Sequence, residues 1–231
     1  MNNSNANISV IIPVLNEAEI INQTIEHICS LKNNTNVEII VADGDPCGST
    51  IKTVSHQKVI GIISEKGRGK QMNTGAAVAT GDILLFLHAD TLLPVGAFEK
   101  ITAVMRTGRY AGGAFDLGFD SGRTSYRVIE RAASYRSRLT RIPYGDQAIF
   151  IRKDIFDGLG GFREFPIMED IELMRSIKRI GHRIFIIATK VKTSSRRWER
   201  EGIIYCTVRN WMLVTLYLLG VRPDTLVRFY K

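Results

Sequence analysis

The first regular pattern in the chain is an unbroken apolar, β-branched run, Ile8–Val14, which reads as a strand buried on both faces. Residues 17–31 follow with apolar side chains at Ile20, Ile21, Ile25, Ile28 and Leu31, a spacing that predicts a helix with one buried stripe. A second buried strand is expected at 37–42. It ends in the turn-rich stretch DGDPCGST at 43–50, with a short helix from Ser49. Val59–Ile63 reads as a third strand, 66–69 as a loop and 71–79 as a helix. A fourth strand at 82–87 runs into His-Ala-Asp-Thr at 88–91. Strand and helix alternating at this pace predict a single-domain α/β fold: a mostly parallel, mixed sheet with helices on both faces.

Beyond residue 94 the rhythm loosens. Helices are expected at 94–105, 123–140 and 168–180, strands at 112–119, 146–151 and 184–187, and a turn in the GLGGF region of 156–162. Gly113 is placed for close backbone approach within its strand. An apolar helix at 202–221 closes the pattern, so the catalytic domain is expected to span 1–198 and a basic, apolar helical appendage 199–231. Within that helix Arg209 and Asn210 interrupt the apolar run. The part that remains, from Trp211 to Val221, is shorter than the roughly 20 residues a bilayer span needs. Two readings of it stay open: a helix packed on the sheet or on a second copy of the chain, or one lying at a membrane surface.

Composition narrows the class. At 231 residues and 45% hydrophobic, the chain can bury one sizeable core. The formal charge of +8 is concentrated at one end. Residues 178–231 hold twelve Lys or Arg against three acids, while the rest is close to neutral. Such a segment attracts phosphates or anionic headgroups; without interleaved aromatic platforms it does not read as a nucleic-acid binder. The three cysteines, Cys29, Cys47 and Cys206, form no metal-binding or redox spacing. Residues 1–7 lack an export pattern, so a cytoplasmic protein is expected, peripheral at the inner face of the membrane if the last helix lies there.

In open α/β sheets ligands sit beyond the carboxyl ends of the strands. Three polar clusters fall there: Asn16–Glu17, Asp43–Asp45 and His88–Asp90. A carboxylate at a strand end, Asp90, suits a hard divalent cation carrying diphosphate oxygens, or else caps a turn. Asp43 could accept a ring N–H of a pyrimidine, or simply form the turn before Gly44. The segment GRGKQMN at 67–73 is neither a Walker loop nor GxGxxG. Its Lys66, Arg68 and Lys70 around two glycines form a diphosphate cradle or a solvated loop. Glu169 and Asp170 open a helix whose dipole favours acids. The functional alternative is a general base for an acceptor hydroxyl. In SSRRWER at 194–200, Arg197 can pair with phosphate and Trp198 can stack under a sugar, or the segment is a basic surface turn.

Taken in order, IPVLNE, ADG, GRGKQMN, HADT, MEDIEL and SRRW resemble the inverting family-2 glycosyltransferases of the glycosyltransferase A fold, from about residue 8 to 198. The wording LFLHADT, GDQAIF and GGFREFPIMEDIEL is similar to a small bacterial subgroup often found beside radical-enzyme or selenium genes. The resemblance implies a nucleotide diphosphate sugar donor, commonly uridine-linked, and Mg²⁺ or Mn²⁺. Pro13, Asn16 and Glu17 would line the nucleotide pocket, and Asp43 would hold the base. Arg68 would be the basic residue of a K/R-x-x-x-x-N pattern ending at Asn73, both in the nucleotide-sugar site together with Lys70 of the cradle, and Asp90 would be the metal-binding last acid of DxD. Asp170, beside Glu169, would be the catalytic base. Arg197 and Trp198 would match the end of Q-x-x-R-W. Two positions depart from the family pattern. His88 replaces the first acid of DxD, where it would bind metal weakly or contact the sugar or phosphate, and Ser194 stands where Gln begins Q-x-x-R-W. The second departure argues for one sugar transferred per acceptor rather than processive synthesis. A nucleotidyltransferase making the nucleotide sugar is one rival, although VLNEAE occupies the place of its Gly-rich triphosphate loop. A non-catalytic nucleotide-binding scaffold is the other.

Overall fold

A computed structural model describes residues 7–33 and 35–230; the expectation for the first few residues therefore lies largely outside the described residues. In chain order the elements are β1 (Ile8–Val14), α1 (Ile21–Ser30), β2 (Val37–Asp43), β3 (Val59–Ile63), α2 (Arg68–Val78), β4 (Ile83–Phe86), β5 (Thr91–Leu92) and α3 (Ala97–Arg106). They continue as β6 (Gly112–Asp116), α4 (Thr124–Thr140), β7 (Ile149–Arg152), α5 (Lys153–Gly158), α6 (Glu169–Arg179) and β8 (Ile184–Lys190). The chain ends with β9 (Lys192–Thr193), α7 (Arg196–Glu201), α8 (Ile203–Leu218) and α9 (Pro223–Leu226).

Seven strands form one sheet in the order β3-β2-β1-β4-β7-β6-β8, and only β7 runs against the others. The expected mixed, mostly parallel sheet is therefore present. Strand alternation divides the core in two. Ile8, Val10, Ile12 and Val14 face α1 and α3, meeting Ile21, Ile25, Ile28, Phe98 and Ile101. Ile11 points the other way, to Met72 and Ala76 of α2, in the cluster that α6 completes with Leu173, Met174 and Ile177. Each such side chain, fully buried, contributes about 1.5–3 kcal/mol. Helix α2 lies so close to β1 that a Cβ on Gly75 would stand 2.5 Å from Ile11 Cγ2. The expectation for Gly113 also holds: a Cβ there would lie 2.1 Å from the Phe185 carbonyl oxygen.

The parallel strands deliver Val14, Asp43 and Phe86 to one edge of the sheet. Because β7 is antiparallel, its start lies at that same edge, and the preceding turn Gly145–Gln147 stands beside the ends of β1 and β4. Buried Gln147 fixes this turn: its Nε2 donates to the Phe115 carbonyl, and its Oε1 accepts from Ser137 Oγ and the Tyr144 backbone N–H. The two-stranded β5–β9 ribbon closes the edge, with Thr91 opposite Thr193.

Several boundaries differ from the sequence reading, each for a local reason. Helix α1 starts at Ile21 because Asn16 takes a left-handed backbone (φ 59°) and Glu17 donates its N–H to Thr50 Oγ1. Helix α2 starts at Arg68, so Arg68 and Lys70 lie on its first turn and not in a loop. Residue 146 belongs to a turn and not to the strand that follows. The GLGGF region is preceded by the short helix α5, and SSRRWER is largely helical as α7. The boundary expected between 198 and 199 falls inside α7. The C-terminal helices pack on the body of the molecule: Leu213, Tyr217 and Leu226 meet Ile167, Met168 and Ile171 at the start of α6. Among the described residues no helix is long and apolar enough to cross a membrane.

Candidate active site

At the carboxyl edge of the sheet lies a cavity of about 240 Å³. Seven of the expected residues line it: Arg68, His88, Asp90, Glu169, Asp170, Arg197 and Trp198. They arrive from β4, α2, α6 and α7, elements far apart in sequence. Their meeting follows from the topology: strand ends, an antiparallel strand's start and two helix N-termini share one edge.

Asp170 is held by two backbone donors. The Gly145 N–H reaches its Oδ2 at 2.6 Å, and its Oδ1 accepts the Ile171 N–H at 2.7 Å. Gly145 permits this approach, since a Cβ there would meet His88 Nε2 at 3.1 Å and Asp170 Oδ2 at 3.5 Å. Glu169, 3% exposed, pairs with Arg68 at 3.5 Å. Its pKa is raised to about 7, chiefly by burial and then by the charge of Asp170, with Arg68 opposing. Met168 enters this helix with φ 70°, a conformation that a non-glycine residue holds only when its surroundings enforce it; the packing of Ile167, Met168 and Ile171 against Leu213 does so.

Beside Gly145, burial pushes His88 down to about 3, with Arg68 adding to the effect, so its imidazole is neutral near pH 7. Burial also raises Asp90, against the pull of Arg196 and Arg68. Glu17 is raised by burial and by the negative charge of Asp90, with Arg196 again opposing. Arg196 thus acts on both acids of the β1–β4 end, although its neighbour Arg197 was the expected arginine. Arg197 donates instead to the Tyr230 hydroxyl and to Glu201, and lies 4.1 Å from the centre of the Tyr230 ring. On a helix, successive residues point about 100° apart. The Arg-Arg doublet was visible in the sequence; which member faces the acids was not.

Six expected residues lie outside the lining. Asp43 is fully buried, and its carboxylate ties the following loop by accepting the N–H groups of Asp45, Thr50 and Ile51. Asn73 exchanges both amide hydrogen bonds with the Phe162 backbone, joining α2 to the loop after α5. Lys70 pairs with Glu65 and, at 3.7 Å, with Glu164. Pro13 lies near the end of β1, and Asn16 and Glu17 follow it.

The sequence reading missed Asp146, Tyr144, Asn210 and Tyr230, which also line the cavity. Burial raises Asp146 to about 6; Arg136 opposes the rise, while Asp170 and Asp90 add to it. Its Oδ1 has no protein partner. The signal for Asp146 was an acid three residues before the strand at Ile149–Arg152. Reading it needed the knowledge that this strand is reversed.

Among the described residues no group of three or more His, Cys, Asp or Glu converges to hold a metal ion. The donor set still fits Mg²⁺ or Mn²⁺ bound through a single carboxylate, Asp90, with the remaining positions filled by diphosphate oxygens and water, the usual arrangement for a magnesium–phosphate site.

Comparison with known proteins agrees with this architecture. The model of the family described as glycosyl transferase family 2 matches residues 9–165. A dolichol-phosphate mannosyltransferase of Pyrococcus furiosus is 26% identical over 187 residues, covering 78% of this chain and 51% of the relative, so the chain spans about half the length of that protein. The crystal structure of S. aureus TarS 1-349 superposes with a TM-score of 0.62 over 96% of this chain and 68% of the other, at 14% identity, a likeness of fold. The family match runs through β1, β2, α2, β4 and the Asp146 turn and stops four residues before Glu169. With a sheet that places the cavity at its carboxyl edge, the chain belongs to glycosyl transferase family 2.

Proposed function

We propose that the protein transfers one sugar from a nucleoside diphosphate sugar, uridine-linked, to the hydroxyl of a lipid-type acceptor in a single inverting displacement. The observation that carries this reading is the cavity itself. It puts a carboxylate held by two N–H groups (Asp170) and a strand-end acid with a nearby arginine (Asp90, Arg68) within one enclosure. The first can take a proton and the second can hold a diphosphate.

In this reading the donor base lies against Pro13, Asn16 and Glu17, over the loop that Asp43 ties down. Arg68 faces the diphosphate, with Arg196 acting from beside Asp90; Arg197 lines the enclosure while held by Tyr230 and Glu201, and His88, neutral, donates or accepts a hydrogen bond to sugar or phosphate. Asp90 holds Mg²⁺ or Mn²⁺, which would neutralise charge on the leaving diphosphate. Asp170 accepts the proton of the attacking hydroxyl. Its two backbone donors fix the carboxylate so that a remaining lone pair faces the cavity. The acceptor hydroxyl attacks the anomeric carbon as the bond to the diphosphate oxygen breaks, and no covalent intermediate forms. Glu169 keeps Arg68 in place through its ion pair. The similarity to a protein named for dolichol phosphate supports a lipid-type acceptor. So does the apolar outer face of α8, where Ile204, Val208 and Trp211 are exposed.

A thermal-shift screen of nucleoside diphosphates and nucleotide sugars, with and without Mn²⁺, tests the donor site. A nucleotide at 100 times its dissociation constant stabilises the fold by about 2.7 kcal/mol. Metal-dependent stabilisation by uridine diphosphate that disappears in Asp90→Ala is the expected result. No shift with any nucleotide would remove the transferase reading. Release of pyrophosphate instead of nucleoside diphosphate would replace it with a nucleotidyltransferase.

A further inference from the structure

A second cavity, of about 160 Å³, lies between α4 and α8. Its walls are mostly apolar: Leu117, Ile129 and Ala133 from one side, Trp198 and Trp211 from the other. It adjoins the active-site cavity, because Tyr144, Asp146, Trp198 and Asn210 line both. Those shared residues are polar, and three of them leave a buried atom without a protein hydrogen bond: Asp146 Oδ1, Trp198 Nε1 and Asn210 Oδ1. An unpaired buried polar atom is costly, and three around one junction mark a place where a ligand group completes the hydrogen bonding. At the far end Val128 and Trp211 are more than half exposed, so the cavity opens to solvent along α4 and α8.

The geometry points to this cavity as the acceptor subsite: an amphipathic alcohol enters between α4 and α8, lays its apolar body against Ile129, Ala133 and Trp211, and presents its hydroxyl at the Asp146–Asn210 junction, next to Asp170. The inference rests on the transferase reading for the chemistry, and on the cavity alone for the binding. The head group is a neutral hydroxyl and not a phosphate, because three carboxyl groups, those of Asp146, Asp170 and Glu169, line the active-site side of the junction, while Arg136 is engaged by Ser137, Gln147 and the Tyr144 ring. Asp146 is a recognition residue for the acceptor here, and Trp198 a wall shared by the two substrates.

The chain supplies its own reporter, since its only two tryptophans, Trp198 and Trp211, both line this cavity. The probe is 8-bromo-1-octanol, whose bromine quenches indole fluorescence on contact; 2-bromoethanol measures unspecific collision. Saturable quenching by the octanol, competed by unbrominated 1-octanol and at least tenfold weaker with octyl phosphate, is the expected result. Ala132→Phe from α4 and Thr207→Phe from α8 fill the space from opposite sides. Each should weaken the saturable phase at least tenfold while leaving the stabilisation by uridine diphosphate unchanged. Linear quenching equal to that of 2-bromoethanol, or saturable quenching untouched by both variants, overturns the subsite. Preference for octyl phosphate overturns the neutral head group. Absence of nucleotide stabilisation together with saturable quenching would sink the transferase reading and leave the apolar site standing.

Discussion

At the scale of single residues the site is organised by how burial and neighbours divide protons among its acids. Glu169 is pushed up to about 7 by burial and by Asp170, so its proton stays on at pH values where an exposed glutamate has lost it. The consequence for stability has a definite sign. A carboxyl whose folded pKa lies above its unfolded value contributes stability that is fully present below the unfolded pKa, near 4.5, and is lost as pH rises to about 7. Asp146, raised to about 6, acts the same way between its unfolded value near 3.8 and that pH. Glu169→Gln is therefore expected to flatten the fall in unfolding free energy between pH 4.5 and 7, by an amount on the order of 3 kcal/mol. Urea unfolding at a series of pH values measures it. Identical slopes for the two proteins would show that Glu169 is ionised throughout. A second expectation concerns transfer: Asp170→Asn keeps an amide oxygen to accept one of the two backbone N–H groups, that of Gly145 or of Ile171, gives up the other, and removes the proton acceptor. The rate should fall by about 10²–10⁴-fold with donor binding intact. Loss of nucleotide binding in that variant would instead place Asp170 in the donor subsite.

At the scale of elements, the strands and helices of the first half were legible because their periods are clean. Ile8–Val14 and Val59–Ile63 appear with the expected ends. What periodicity could not show was direction. The strand at Ile149–Arg152 reads the same forwards and backwards, and only its antiparallel pairing with β4 brings Asp146 to the active edge. Nor could it show engagement: Asp43 and Asn73 have the residue types expected of ligand contacts, yet their polar atoms are spent on the backbone of neighbouring loops. The same limit applies to Lys70, which the sequence set beside a diphosphate and the structure pairs with Glu65 and Glu164. The close contact of α2 with β1 gives a prediction at this scale. Gly75→Ala drives a methyl group into Ile11 at a distance no Cβ tolerates, so helix or strand must shift, at a cost of about 1–3 kcal/mol. Thermal unfolding should register about 2–4 °C for each kcal/mol in a chain of this length. An unchanged midpoint would mean that α2 is free to slide, and with it Arg68.

At the scale of the whole molecule, the question is what the C-terminal quarter does beyond closing the core. Its inner face is committed: Leu213, Tyr217 and Leu226 cover Ile167, Met168 and Ile171, and the Tyr217 hydroxyl donates to Glu172, so deleting the segment would uncover the start of α6. The outer face is not. Ile204, Val208, Trp211 and Met212 recur at helical spacing along α8 and are 80%, 58%, 57% and 45% exposed. They sit in the part of the chain that carries most of the excess positive charge, with Arg200 and Arg222 near the helix ends. An apolar stripe flanked by arginines suits a helix lying in the headgroup region, and it would set the mouth of the α4–α8 cavity against the bilayer from which a lipid-type acceptor must come. Because the stripe supports no core, it can be tested without truncation. The full chain is expected to float with liposomes containing anionic lipid, and to do so less as salt rises, since screening weakens the attraction of the arginines. Ile204→Ser combined with Val208→Ser should abolish flotation while leaving the thermal midpoint and nucleotide stabilisation unchanged. If the native chain stays with the soluble fraction at low salt, the outer face of α8 has no affinity for membrane and the acceptor must come to the enzyme through water. If the double variant floats as well as the native chain, the attraction is that of the basic charge alone, and the orientation of the cavity towards the bilayer is lost with it.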